Sequence, residues 1–415
     1  MKKMFLIIIP LLAFLIFVAQ FDDDLSGDAS RLLKAVEAPG SSESYLYLAG
    51  IYANESESPE ELGRKLLKEY RKQEADESYL VIAYQDSRKI ALPEGELFCQ
   101  TWKDGCLETL FYSDFDIDVI NKEHEVLISR INTFHTFKDY RTLTKPLVTE
   151  YLPPYRFISA AERIVVLNAI SEFKRGKGGV AMAALFRQFG EVKAALEQQD
   201  TLIGKLIFLM TLSDIVDVAS IIISQEPGAV EAGLIPRLEH PIRDFSLVAA
   251  REFGLSYYTF RSLDRHPEIF EVGGNFPGWM TRMVYKPNMT INAITPTYVR
   301  LEWLAKRTPA EFSQEIERGD VNPITTSKLR NFVGGILIDI PSNFDEFVAR
   351  FMDFEAKLAL FNQRYHARGE YLDLDNPYYE GEPPEVLEEK VCFSGPLEDK
   401  RNLRCLRIKM YQRDN

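Results

Sequence analysis

The stretch Leu206-Ile207-Phe208-Leu209-Met210-Thr211-Leu212-Ser213-Asp214-Ile215-Val216-Asp217-Val218-Ala219-Ser220-Ile221-Ile222-Ile223 decides how this chain folds. Its eleven Leu, Ile, Val or Phe residues favour membrane insertion by about 3 to 7 kcal/mol. Asp214 and Asp217 near its centre each cost about 2.5–3.5 kcal/mol in a bilayer, which cancels that gain. Three residues apart, the two aspartates share one helix face and are expected to meet water or a polar partner. The stretch therefore reads as a core helix of a soluble domain and not as a membrane crossing.

The chain start reads differently. Met1-Lys2-Lys3 precedes a run from Met4 to Phe21 without a charge, and Phe5–Phe21 holds thirteen Leu, Ile, Val or Phe residues. These favour insertion by about 4 to 8 kcal/mol. Eighteen helical residues span roughly 27 Å, close to the thickness of a hydrocarbon core. Pro10 falls in the first turns, where few backbone donors are lost. A cleaved signal peptide has a shorter apolar core and a small-x-small site, and Phe17-Val18-Ala19-Gln20-Phe21 offers none. No cysteine follows that would carry a lipid. Residues 4–21 are expected as one uncleaved transmembrane anchor. Lys2 and Lys3 before the span and Asp22, Asp23 and Asp24 after it place the N-terminus inside and the bulk of the chain outside. The short Lys-Lys start points to a bacterial inner membrane, with the C-terminal domain in the periplasm.

Four cysteines fall in two close pairs, Cys99 with Cys106 and Cys392 with Cys405, and are expected as two disulfides in an oxidising compartment. Neither spacing suits a zinc site or a C-x-x-C redox pair. Asp104-Gly105 reads as a turn joining two strands. Leu406, Ile408 and Met410 alternate with Arg407 and Lys409, as in a strand with one buried face. The net charge of −13, from 49 basic and 62 acidic residues, argues against nucleic acid and against adhesion to anionic headgroups. The densest basic run, Lys174-Arg175-Gly176-Lys177, reads as a solvated turn between helices.

The rest of the chain is dominated by helix starts. Ser58-Pro59-Glu60-Glu61 combines an N-cap, a proline at the first helical position and a glutamate able to close a capping box. Ser159-Ala160-Ala161-Glu162 and Thr308-Pro309-Ala310-Glu311 repeat that logic. So does Ser342-Asn343 with Asp345 or Glu346, ahead of Phe347, Phe351, Phe354, Leu358 and Phe361 at helical spacing. Strand-like runs are fewer: Tyr79–Tyr84, Leu97–Trp102 and Cys405–Met410, with Gly335–Ile340 ambiguous. The fold class expected is mainly α. One transmembrane helix would precede an exported multi-helix domain with small antiparallel β-hairpins near its two ends. Residues 1–3 are a cytoplasmic stub and 22–43 an acidic tether with a short helix. Residues 44–153 form an N-terminal helical and hairpin part, 154–370 the main helical domain, and 371–415 a C-terminal tail with a disulfide hairpin. Ser44–Tyr70 reads as two packed helices, a single hairpin unit with no second copy at a fixed period.

Chemistry is sparsely signalled. There is no G-x-S-x-G elbow, no phosphate-binding G-x-x-x-x-G-K-[ST] loop and no H-E-x-x-H. His124, His135, His240, His266 and His366 are dispersed. Asp373-Leu374-Asp375-Asn376 resembles half a calcium loop but lacks its glycine and distal glutamate. No metal or cofactor is expected. The candidate groove is Phe253–Tyr298, where Tyr257, Tyr258, Phe260, Phe276, Trp279 and Tyr285 alternate with Gly and Pro ahead of Asn288 and Asn292. Such aromatics line a groove or fill a core, and the core is the reading favoured here. The function expected is a single-pass membrane-anchored envelope protein. Its periplasmic helical domain would act as a protein-binding, accessory or immunity-like factor with no recognisable catalytic activity. The alternatives are an envelope hydrolase of glycan, peptide or lipid without a linear motif, and a lipid- or small-ligand-binding module. A protein partner in the envelope is expected; nucleic acid is not.

Overall fold

The computed structural model of the chain describes residues 17, 20–75, 89–226, 243–263, 278–319, 324–327, 329–338, 344–367 and 374–409. Most of the expected anchor, the Tyr79–Tyr84 strand, Ser342-Asn343, Phe276 and Asp373 lie outside the described residues. The helices in chain order are α1 (Gly27–Glu37), α2 (Glu43–Ala49), α3 (Pro59–Ala75), α4 (Cys106–Tyr112), α5 (Ile117–Glu123), α6 (Glu125–Phe134), α7 (Tyr155–Lys174) and α8 (Gly178–Gln198). They continue with α9 (Leu202–Gln225), α10 (Ser246–Leu263), α11 (Gly278–Val284), α12 (Pro287–Ala305), α13 (Pro309–Arg318), α14 (Phe332–Ile338) and α15 (Asp345–Ala367). Three short strands close the described chain: β1 (Glu385–Val386), β2 (Lys390–Cys392) and β3 (Cys405–Arg407), antiparallel in the order β1-β2-β3. The protein is mainly helical.

The stretch that decides the fold is α9, and it is the axis of the larger core. Among the described residues it is the helix long and apolar enough to cross a membrane, yet 78% of its apolar window is buried inside the protein. It packs on α7, α8, α15 and β3. Both aspartates meet partners from the chain itself. Asp214 accepts from Arg163 of α7 at 2.8 Å and from the Thr101 hydroxyl, and Arg163 also donates to the Cys99 carbonyl at 3.0 Å. Asp217 accepts from Lys357 of α15 at 2.8 Å and from the Arg407 amide of β3 at 3.3 Å. The carboxylates that oppose membrane insertion thus tie the central helix to the two disulfide-bearing segments. Both disulfides are formed, Cys99–Cys106 and Cys392–Cys405. The second joins residues directly opposite each other on β2 and β3.

Local signals behave unevenly. Thr308 and Glu311 form the full capping box of α13, and the Ser58 hydroxyl accepts from the Glu61 amide at 3.4 Å ahead of α3. α7 begins one turn before Ser159, directly after Pro153-Pro154, so Glu162 lies inside the helix and is free to bond elsewhere. Leu97–Trp102 is not a strand: Glu96–Phe98 is a 3-10 turn, and Gly105, at φ 82°, caps α4 instead of turning a hairpin. The disulfide, between cysteines seven positions apart in sequence, shapes a compact loop-and-helix corner there. Phe332–Ile338 is helical. The hairpin expected near the C-terminus is present. β3 is buried throughout, because Arg407 pairs with Glu389 at 2.7 Å on the face expected to be wet.

α2 and α3 pack as the Ser44–Tyr70 hairpin, with backbone against backbone. A Cβ on Gly63 would sit 1.9 Å from the Leu46 carbonyl oxygen, and one on Gly50 would sit 2.1 Å from that of Pro59. Alanine is the better helix former by about 1 kcal/mol, but here the helices would have to separate. Gly63→Ala is expected to destabilise the domain by about 1–3 kcal/mol in denaturant titrations. A neutral or stabilising result would refute this contact.

Residues 22–37, the larger part of the tether expected at 22–43, are fastened to the domain. The Asp22 carboxylate accepts from the Asn288 and Met289 amides at 2.7 and 3.2 Å, at the start of α12, where the helix dipole favours an anion. Asn288 and Asn292 donate to the carbonyls of Asp23 and Asp24, at 2.7 and 2.8 Å. Arg31 of α1 forks onto Glu302 of α12 at 2.9 and 3.1 Å. Ala29 and Leu32 of α1 then complete a second, smaller core with Ala250, Phe253, Ile291, Ile294, Tyr298 and Ile338. Composition made an independent core improbable, but α1 needs only one apolar face to join an existing one.

Candidate functional site

The aromatic segment does not present an open groove in its described part. Tyr257 and Phe260 pack against the second core, and Tyr285 is fully buried, its hydroxyl donating to the Phe260 carbonyl at 2.8 Å. Tyr258 donates to Glu37 of α1 at 3.2 Å. Trp279 is in α11, and Phe276 lies outside the described residues. Asn288 and Asn292 bind the chain's own residues 23 and 24. These residues are spatial neighbours because α10 and α12 pack together, and what they build is a core and a docking point for the N-terminal segment.

An open concavity lies elsewhere, in a part of the sequence that carries no motif. A cleft of about 570 Å³ runs between the segment 91–98 and the α4–α5 turn. Leu92, Pro93, Leu97, Phe98 and Ile120 supply its apolar lining, and Glu94, Glu96, Asp114 and Glu123 its carboxylates. All four carboxylates are on exposed residues, and among the described residues no Lys or Arg lines the cleft. A concave surface lined by one sign of charge focuses its field and raises the local concentration of cations. The volume is in the range of sites that hold a compact ligand or a few side chains.

The walls are held in place by identifiable bonds. The first is fixed at one end by the Cys99–Cys106 disulfide and at the other by the Ile90 amide donating to the Tyr52 carbonyl at 3.1 Å. The second is fixed by Asp116, which caps α5 by accepting from the Asp118 and Val119 amides at 2.9 and 3.4 Å. Lys174 reaches across from the end of α7, donating to the Ser113 carbonyl at 2.8 Å with its ammonium 4.6 Å from the centre of the Phe115 ring. Its turn, 174–177, is thus not merely solvated. Asn121 and Asn168 exchange two amide bonds, of 2.8 and 2.9 Å, that lock α5 to α7. His124, between α5 and α6, lines the cleft and is buried, and burial lowers its pKa against the opposing charge of Glu123. Tyr112 and Val119 on the flanking helices are 62% and 58% exposed, which adds apolar surface beside the cleft.

His135 belongs to a different, closed centre. Its Nε2 is 2.6 Å from Glu162 Oε1, and Gln188 donates to the other oxygen of that carboxylate at 2.7 Å. Burial pulls the imidazole pKa down, but Glu162, helped by Glu191, outweighs this and leaves it raised. The adjoining cavity of about 10 Å³ has room for roughly one water. His366 is in α15, while His240 and His266 lie outside the described residues. Among the described residues no group of three or more His, Cys, Asp or Glu stands close enough to hold a metal ion.

No family model, curated protein or solved structure matches this chain. The cleft is therefore assigned on its own geometry.

Proposed function

We propose that this chain is a single-pass envelope protein whose exported helical domain binds another protein, taking a basic, partly apolar segment of it in the acidic cleft. The observation that carries this reading is the cleft itself: four carboxylates around an apolar lining, on walls pinned by a disulfide and a capped helix. Complementary charge accelerates encounter and fixes register, while the apolar lining supplies affinity by excluding water. Two disulfides suit an oxidising compartment, which supports export. The charge-free run before Phe21 and the Lys2-Lys3 and Asp22-Asp23-Asp24 flanks support the anchor and its orientation.

Crosslinking in native membranes followed by purification is expected to recover a stoichiometric protein partner. In the triple variant Glu94→Lys, Glu96→Lys, Asp114→Lys, recovery is expected to fall by about tenfold or more, since each 1.4 kcal/mol is a factor of ten. All three positions are exposed, so the unfolding midpoint should be unchanged. Undiminished recovery by the triple variant would remove the cleft from the interaction. Repeated recovery of the chain alone would remove the interaction itself.

A further inference from the structure

We infer that the face formed by Phe21, Leu329 and the outer side of α14 is a membrane-contact surface that seats the exported domain on the bilayer. The inference rests on the anchor reading above and adds where the domain lies relative to that anchor.

The patch is apolar and open. Leu329 is 94% exposed, Phe332 58%, Ile336 57% and Phe21 55%. Phe332 and Ile336 are four residues apart and so share one side of α14. Gly334 and Ile338 on the opposite side are buried against α12 and its neighbours. Large apolar side chains gathered on one outer face mark an interaction surface.

The helix that presents them is held rigidly. Asn331, fully buried, accepts from the Lys286 amide at 2.8 Å and donates to the Thr290 and Thr326 hydroxyls at 2.9 and 3.1 Å. A Cβ at Gly334 would lie 2.2 Å from the side chains of both Asn331 and Thr290, so α14 packs against α12 with no room for a side chain there.

The occupant follows from where the anchor ends. Arg330, between Leu329 and Asn331, donates to the Phe21 carbonyl and to the Asp23 carboxylate, both at 3.2 Å. Asp22, Asp23 and Asp24 are bound in turn to the start of α12. No slack is left between the last apolar residue of the anchor and the domain. The anchor therefore emerges beside Leu329, and Phe332 and Ile336 follow within about two helical turns. A surface held at the mouth of a transmembrane helix faces lipid, and apolar side chains at the headgroup and acyl boundary are the chemistry that surface calls for.

The test uses the full chain in its membrane, with the photocrosslinker benzoylphenylalanine at one position at a time: Phe332, Ile336 or, as a control, Arg318 on α13. Irradiation is expected to add a phospholipid mass at 332 and 336 and not at 318. Carbonate washing of the same membranes reads the anchor separately. Retention in the membrane without lipid adducts at 332 and 336, or with protein adducts there instead, overturns the seating surface and leaves the anchor standing. Equal lipid labelling at 318 also overturns it. Release by carbonate overturns the anchor and the seating surface with it.

Discussion

Lys357→Met is expected to destabilise the domain by about 3–5 kcal/mol, because it strands a buried carboxylate. Lys357 is 1% exposed and donates to Ser213 Oγ at 2.7 Å and Asp217 Oδ2 at 2.8 Å, joining α15 to α9 at the centre of the larger core. The methionine stem fills the same space, so the loss comes from Asp217. That carboxylate would keep the Arg407 amide and lose the Lys357 ammonium that neutralises it. The double variant Lys357→Met, Asp217→Leu is expected to recover most of the loss, since a buried pair replaced by apolar groups is close to neutral. Denaturant titration of the two single variants and the double closes a cycle whose coupling energy should exceed about 1 kcal/mol. A single-variant loss below that value would mean that Asp217 finds water, contrary to its burial.

The same pair shows how far the sequence could be read. Composition settles that Leu206–Ile223 is apolar and interrupted by two acids, and this is enough to predict a core helix. It cannot identify the partners. Asp217 meets Lys357, 140 residues away, and Asp214 meets Thr101, 113 residues away. α15 is the harder case. Its Phe351, Phe354, Leu358 and Phe361 are legible as a core face, but Asp353, Glu355 and Lys357 read as a solvated one. All three are buried, because the C-terminal hairpin, α9 and the segment leading into α10 cover that side as well: Arg404 pairs with Asp353 at 3.1 Å, Lys357 with Asp217 at 2.8 Å and Arg243 with Glu355 at 2.6 Å. Caps written in adjacent residues, such as Thr308 with Glu311, are legible. Gly105 is ambiguous because one glycine serves either a hairpin turn or a helix start, and the choice is made by the cysteine that follows it.

The candidate site was less legible still. Aromatic density drew attention to Tyr257, Phe260 and Tyr285, which close a core around α1. The cleft is built from ordinary residues of three non-adjacent segments, and its carboxylates stand out only once Glu94, Glu96, Asp114 and Glu123 face one space. With 62 acidic residues in the chain, no pattern of spacing singles those out. A cysteine pair with Asp104-Gly105 between its members was the available signal, because a disulfide corner beside a capped helix makes a rigid wall. The same residues suit a hairpin turn equally well, and in the fold Gly105 starts a helix.

Between about pH 5 and pH 7.5 the folded domain is expected to lose stability as the pH rises, by about 2 kcal/mol or more. Burial pushes Glu252, Asp353 and Glu355 up to about 7, with Arg251, Arg404 and Arg243 pulling the other way. In the unfolded chain these carboxyls release their protons near pH 4. In the window between, the folded state holds protons that the unfolded state has lost, so stability is fully present below pH 4 and declines through pH 7. His135 has the same sign: its raised folded value makes its contribution complete below about 6.5 and lost above. His124 and the lysines Lys205 and Lys174, all lowered by burial, oppose the trend. His124, lowered by burial, contributes stability as the pH rises, and Lys205, pushed down to about 8, does so only in the alkaline range. The profile should therefore fall from pH 5 to about pH 7.5. Relief of general acidic repulsion at low pH has the same sign, so the discriminating measurement is the slope in Glu355→Gln and Asp353→Asn. Each variant should flatten the melting profile between pH 5 and 7.5, because the amide stays neutral in both states. A wild-type profile that rises through this window, or variants with an unchanged slope, would mean that both carboxyls are ionised in the fold and paired with Arg243 and Arg404 as full salt bridges.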